Sequence, residues 1–289
     1  LKNPPGADFR VSPVGAWRRE ASSKNGGTSL YRDGQEALVP RSAGMRESGH
    51  RRVLKNKFFS TLLDSAELLK NGISFVAVSE PLDSNQLFEE EKIYLGRSSE
   101  KRCQDFATGR WCARQALQFI GVDPVAIPMG KQREPVWPPG LVGSISHTKN
   151  YYCAGVSKTK KALGVDAERF SGELDEQLIK AVCSNAEYEI ISSCPSEVAK
   201  YAPHVIFSAK EAYQKAVFPF IKKILNFDAV EIKIDWQNGS FDVKPSESVN
   251  VDIQLNGQFW IRQDIVLTMV WGESHHQHAL TASGKNTKS

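Results

Sequence analysis

Residues 143–168 read GSISHTKNYYCAGVSKTKKALGVDAE. Gly143–Ser146, Tyr151–Ser157 and Ala162–Glu168 are short apolar or β-prone runs between polar breaks, which predicts three successive strands. Alternate side chains of a strand share a face. Asp166 and Glu168 are therefore expected to project together from the end of an apolar strand. Two carboxylates held this close repel unless a cation or a proton neutralises them.

Upstream, a Pro/Gly-rich loop over 124–143 is long enough to suspect a function. Before it, the spacing predicts a helix from about Ser98 to Ile120, with Ser98 or Ser99 as cap and Gly121 as stop. Ile73–Ser79 reads as a buried strand. Phe58, Phe59, Leu62, Leu63, Ala66 and Leu69 repeat at helical spacing up to Gly72. Downstream, helical patterns return at about 173–194 and 203–218. The last third alternates as strands at Val230–Trp236, Ser240–Val243, Val249–Leu255, Gln258–Arg262 and Ile265–Trp271. Asn238-Gly239 and Asn256-Gly257 are expected to be hairpin turns between them. This order predicts an α+β protein of two similar lobes, 53–162 and 163–273, each a small antiparallel sheet packed with helices.

The ends read differently. Residues 1–52 are rich in Gly, Pro, Ser and Arg and carry no period, and such a segment cannot bury enough surface to offset chain entropy. The run Leu38–Ser42 (LVPRS) resembles a thrombin cleavage site. We expect 1–52 to be a disordered or vector-derived extension, with the native start near Met45, and 274–289 to be a disordered tail. The formal charge of +4 resides in the first segment, and the remainder is close to neutral. It offers no nucleic-acid-binding face. No apolar run reaches the roughly 18 residues of a membrane span. Five scattered cysteines form no C-x-x-C pair, and the N-terminus shows no signal-type apolar segment, so a cytoplasmic location is expected.

Four further segments bear on chemistry. In Phe207–Ala216 (FSAKEAYQKA), Glu211 and Lys215 lie one helical turn apart, either as an exposed ion pair or as a third acid with a phosphate contact. Ser146-His147 ends a strand and can offer a hydroxyl and an imidazole to an anion, or simply pack at the surface. In Arg133–Gly140 (REPVWPPG), Arg133 can meet a phosphate, or the loop is merely pinned by Trp137. In Gly109–Leu117 (GRWCARQAL), Arg110 and Arg114 share a face, where guanidinium forks suit phosphate as well as a solvated basic surface does. His275-His276-x-His278 suits a transition metal or, more simply, a mobile tail.

The order of these motifs, spanning about 97–218, resembles the 4′-phosphopantetheinyl transferase superfamily, in particular its monomeric branch. The resemblance implies a pseudo-twofold monomer that binds coenzyme A between its lobes. It implies Mg²⁺ held by Asp166, Glu168 and Glu211, and coenzyme A contacts from Ser146, His147, Lys215, Arg110 and Arg133. Catalysis would rest on Glu211, Lys215, Asp166 and Glu168. The acceptor would be a serine of an acyl, aryl or peptidyl carrier protein, with 184–202 as candidate docking segment and adenosine 3′,5′-bisphosphate as by-product. Ala212 and Ala167 depart from residues usual in that family, at positions expected to carry no chemistry. Replacing Asp166 or Glu211 by Ala is expected to abolish transfer and leave the fold intact. Two other readings stay open: a non-catalytic coenzyme A or nucleotide-binding module, and a Mg²⁺-dependent phosphodiesterase.

Overall fold

The structure, a computed structural model, describes residues 65–273 except 171, 173–175, 248 and 250. The expectations for 1–52, for the helical pattern before residue 65 and for 274–289 lie outside the described residues. The elements are α1 (Ser65–Lys70), β1 (Ser74–Val78), α2 (Glu89–Lys92), α3 (Glu100–Phe119), β2 (Val142–Thr148), β3 (Tyr151–Ser157), β4 (Ala162–Arg169), α4 (Glu176–Val182), α5 (Asn185–Ser193), α6 (Ala202–Ile221), β5 (Val230–Asp235), β6 (Ser240–Pro245), β7 (Leu255–Arg262) and β8 (Ile265–Gly272). They form two antiparallel sheets, ordered β1-β3-β2 and β4-β8-β7-β6-β5, and the chain is α+β. No helix among the described residues is long and apolar enough to cross a membrane.

Strand alternation stacks these parts in four layers. On β3, Tyr152, Ala154 and Val156 face α3, where they meet Cys112, Ala113, Ala116 and Leu117. Cys153, with Phe75 and Ala77 of β1, faces the opposite way onto Leu163, Val165 and Ala167 of β4 and Leu267 and Met269 of β8. The far face of β8, through Val266 and Val270, packs on Val205, Ala209, Ala212 and Ala216 of α6. The order is therefore α3, three-stranded sheet, five-stranded sheet, α6. Because β4 carries its apolar residues inward at 163, 165 and 167, Gly164, Asp166 and Glu168 fall on the α6 side.

Gly164 sets how closely α6 approaches. A methyl there would fall far inside van der Waals contact distance of the Ala212 carbonyl oxygen, and 2.7 Å from the Ala216 nitrogen. Both are helix backbone and cannot turn aside. Gly164→Ala is expected to push α6 off β4, costing about 1–3 kcal/mol of overpacking and most of the turnover. A melting curve with a parallel activity assay checks it; unchanged values in both would show that the close approach is dispensable.

The two sheets also meet edge to edge, at β2 and β4. An edge strand leaves backbone groups unpaired, and here serines of β2 take them up. Ser144 Oγ donates to the Val165 carbonyl at 3.3 Å, and the Ala167 N–H donates to Ser146 Oγ at 3.3 Å.

Two buried glutamates act as clasps. Glu91, wholly buried on α2, accepts from the Phe88 N–H (3.0 Å), the Ile127 N–H (2.8 Å) and both ways from Arg114 of α3 (2.8 Å). Glu187, wholly buried on α5, accepts from the Ser184 N–H (2.7 Å), the Ile232 N–H (2.8 Å) and Lys210 of α6 (2.8 Å). In both cases the cation lies 23 residues after the acid. Each clasp ties a short helix and a later segment to one of the two long helices, α3 or α6.

Three expectations need correction. The helical pattern over 173–194 is two helices, because Ser184 starts a new one: its hydroxyl accepts from the Glu187 N–H while Glu187 returns to the Ser184 N–H. Among the described residues of Val249–Leu255, only Leu255 lies in a strand, β7. Asn256-Gly257 is no turn but lies within β7, opposite Trp271 and Val270. Gly257 is needed there because a side chain would strike the ring and carbonyl of Phe241. The other pair, Asn238-Gly239, does turn between β5 and β6, with Gly239 at φ 66°.

Candidate active site

Asp166 lies at the centre of a hydrogen-bonded group drawn from four elements. It is buried. Lys215 of α6 donates to its Oδ1 at 2.6 Å, and also to Ser146 Oγ and the Val165 carbonyl, each at 3.2 Å. Ser146 of β2 donates to Oδ1 at 2.9 Å. Ser208 of α6 donates to Oδ2 at 2.8 Å and exchanges a bond with Thr268 of β8, also at 2.8 Å. Ser208, Glu211 and Lys215 recur at helical spacing, so one face of α6 supplies all three.

Glu168 and Glu211 differ from Asp166 in having neither a hydrogen bond nor an ion pair among the described residues. Burial raises the Glu168 carboxyl well above the usual carboxylate range; Asp166 and Glu211 push the same way and Lys215 opposes them. Burial likewise pushes Glu211 up to about 7, with Asp166 adding and Lys215 opposing. For Lys215, burial is the largest influence and disfavours its charge, yet Asp166 and Glu211 outweigh it and the ammonium holds its proton more tightly than usual. The site thus gathers more carboxyl groups than its one lysine can neutralise, and two of them hold protons in place of a cation. An oxygen-only donor set of this kind fits a hard divalent cation such as Mg²⁺. Asp166 and Glu211 are near enough to raise Glu168, and Asp166 to raise Glu211, but no group of three His, Cys, Asp or Glu side chains among the described residues is gathered at metal-ligand spacing.

His147 stacks on Tyr152, with ring centroids 5.9 Å apart. Its proton affinity is lowered chiefly by burial, against Asp105 and with help from Arg102, Lys215 and Lys101. Tyr152 donates to Asp105 Oδ1 at 2.9 Å. Sequence reasoning passed over Asp105, Tyr152, Ser208 and Thr268. Ser208 and Tyr152 stand inside stretches it quoted, but their types are too common to mark them.

The two candidate arginines lie apart from this group. Arg110 is buried on α3, with Nε donating to the Ile127 carbonyl at 2.8 Å and the guanidinium 4.2 Å from the Phe106 ring centroid. Burial lowers its pKa to about 10. Arg133 is exposed at the tip of the turn closed by its own N–H on the Gly130 carbonyl, in positive φ. Arg114 is no phosphate ligand in this arrangement, since Glu91 and the Gln86 carbonyl take its fork. Lys210, beside Glu211 in sequence, points the other way into the Glu187 clasp. A depression beyond α6, lined by Lys223, Ile224, Leu225, Asp228 and Ser246, contains none of the candidate residues.

Residues 89–157 match the family profile described as the 4′-phosphopantetheinyl transferase N-terminal domain, and residues 162–269 that of the 4′-phosphopantetheinyl transferase superfamily. The chain is 33% identical over 177 residues to the 4′-phosphopantetheinyl transferase Npt of Nocardia iowensis, covering 61% of this chain and 78% of that one. It is 31% identical over 193 residues to PptT of Mycobacterium tuberculosis (63% and 84% covered). It is 32% identical over 194 residues to enterobactin synthase component D of Salmonella typhi (65% and 80%). The chain belongs to the 4′-phosphopantetheinyl transferase superfamily and is an enzyme of that class.

Proposed function

We propose that this enzyme moves 4′-phosphopantetheine from coenzyme A to a serine of an acyl, aryl or peptidyl carrier protein, in the cytoplasm, as a monomer and with Mg²⁺. The observation that carries the reading is the Lys215–Asp166 bond at 2.6 Å, flanked by Glu168 and Glu211, which have no hydrogen bond or ion pair among the described residues. Ser146 of β2 joins this pair across the β2–β4 seam by donating to Asp166 at 2.9 Å.

In this reading Asp166, Glu168 and Glu211 hold the ion. Mg²⁺ would supply charge neutralisation on the pyrophosphate. Ser146, His147 and Lys215 contact the coenzyme A phosphates, and Arg110 and Arg133 lie toward the nucleotide end. The carrier serine Oγ attacks the phosphorus bearing the pantetheine arm. That phosphorus–oxygen bond forms as the bond to the adenosine 3′,5′-bisphosphate oxygen breaks. Glu211 takes the serine proton directly or through water. Lys215 balances charge on the departing phosphate.

Weighing an apo-carrier protein after incubation with coenzyme A and Mg²⁺ tests this directly. A gain of one phosphopantetheine is the expected result. Free phosphopantetheine in solution would point to a phosphodiesterase, and no reaction to a binding module. His147→Ala is expected to raise the coenzyme A KM about tenfold, the effect of one lost charge-assisted contact of about 1.4 kcal/mol, with kcat little changed. An unaltered KM would remove His147 from the phosphate site.

A further inference from the structure

We propose that Thr268 and Ser208 form a relay that orients the Asp166 carboxylate, acting as positioning residues for its cation-binding oxygen; this rests on the reading of Asp166 as a metal-binding acid. Both hydroxyls are wholly buried. A hydroxyl has one proton to give. Ser208 spends its proton on Asp166 Oδ2 at 2.8 Å, so in the 2.8 Å contact between the two hydroxyls Thr268 must be the donor. The direction is therefore Thr268 to Ser208 to Asp166.

The three residues come from the elements that build the site. Thr268 stands directly opposite Asp166 in the β4–β8 ladder. Ser208 shares its helix face with Glu211 and Lys215. The terminal torsion of an aspartate is broad and roughly two-fold, and a carboxylate free to turn would present either oxygen. With Oδ2 occupied from behind, Oδ1 is the oxygen turned toward Ser146 and Lys215. Packing does not call for hydroxyls here. Their neighbours on the same layer are Val205, Ala209, Ala212, Val266 and Val270, and Ala and Val would fill the two positions without the cost of burying polar groups.

Calorimetric titration of the full chain with coenzyme A at stepped Mg²⁺ concentrations measures the relay apart from turnover. Ser208→Ala is expected to raise the Mg²⁺ concentration for half-maximal coenzyme A binding about tenfold, the low end for groups that orient a ligating side chain. Thr268→Val, which keeps the shape, should raise it about threefold, and Thr268→Ser should restore it. The double variant should match Ser208→Ala, because Thr268 acts only through Ser208. Wild-type Mg²⁺ dependence in Ser208→Ala and Thr268→Val, or losses that multiply in the double variant, would overturn the relay. Should Ser208→Ala fail to fold, the isosteric Thr268→Val decides. Asp166→Asn with unaltered Mg²⁺ dependence would instead refute the metal assignment itself, so the two failures are told apart.

Discussion

Glu211→Gln is expected to slow transfer to the carrier about a thousandfold, the upper range for removing one charge-stabilising group from an active site, while melting at the wild-type temperature. No hydrogen bond or ion pair among the described residues involves its carboxyl, and its influence on Glu168 and Lys215 is purely electrostatic. The amide keeps the shape and removes the charge, so ion binding and proton acceptance are lost and no packing contact is. Carrier mass gain against time gives the rate, and near-normal turnover at saturating Mg²⁺ would remove Glu211 from the site. Asp166→Ala is a poorer test than its sequence context implies. Losing Asp166 strands Lys215, with an ammonium largely cut off from water. The fold then weakens together with the chemistry, and the expectation of an intact fold is set aside on that ground.

Lys210→Met should destabilise the protein by about 3–5 kcal/mol, the cost of breaking a buried ion pair from one side. Its side chain is 1% exposed and that of its partner Glu187 is wholly buried. The ammonium also donates to the Val182 and Phe227 carbonyls at 2.7 and 2.9 Å, so its removal leaves two buried acceptors and one part-buried acceptor short of a donor. For a chain of this size the midpoint should fall by roughly 10 °C. Lys180→Met is the control, since its partner Glu176 is 78% exposed and surface pairs of this kind contribute little. A thermal melt of both variants checks the contrast. Equal midpoints would mean that the clasp contributes no net stability.

Much of the fold is legible along the chain because it rests on local periods. The β2–β4 strands, α3 with its Ser99 cap, and the alternation that sets Asp166 and Glu168 on one face all follow from spacing of two and 3.6 residues. Ser99 Oγ does accept from the Arg102 N–H, and Gly121 does end the helix at positive φ. The Glu211–Lys215 spacing was equally readable, because both side chains belong to one helix turn. The errors arise where a residue answers to a distant neighbour. Gly257 has the sequence of a turn, but it is glycine because Phe241 of the adjacent strand lies against it.

Residue types and intervals alone thus specify which acids, which lysine and which serine are candidates, and on which face of its own element each stands. They are silent on pairing between elements. Arg114 and Arg110 are one turn apart on α3, yet Glu91 claims the first and not the second. Lys210 and Glu211 are neighbours in the chain, yet one is buried in a clasp and the other, near Asp166, has no hydrogen bond or ion pair among the described residues. Which of two adjacent charges is structural depends on the groups that close packing brings from another part of the chain, and on how far those groups exclude water. Only the assembled layers supply both.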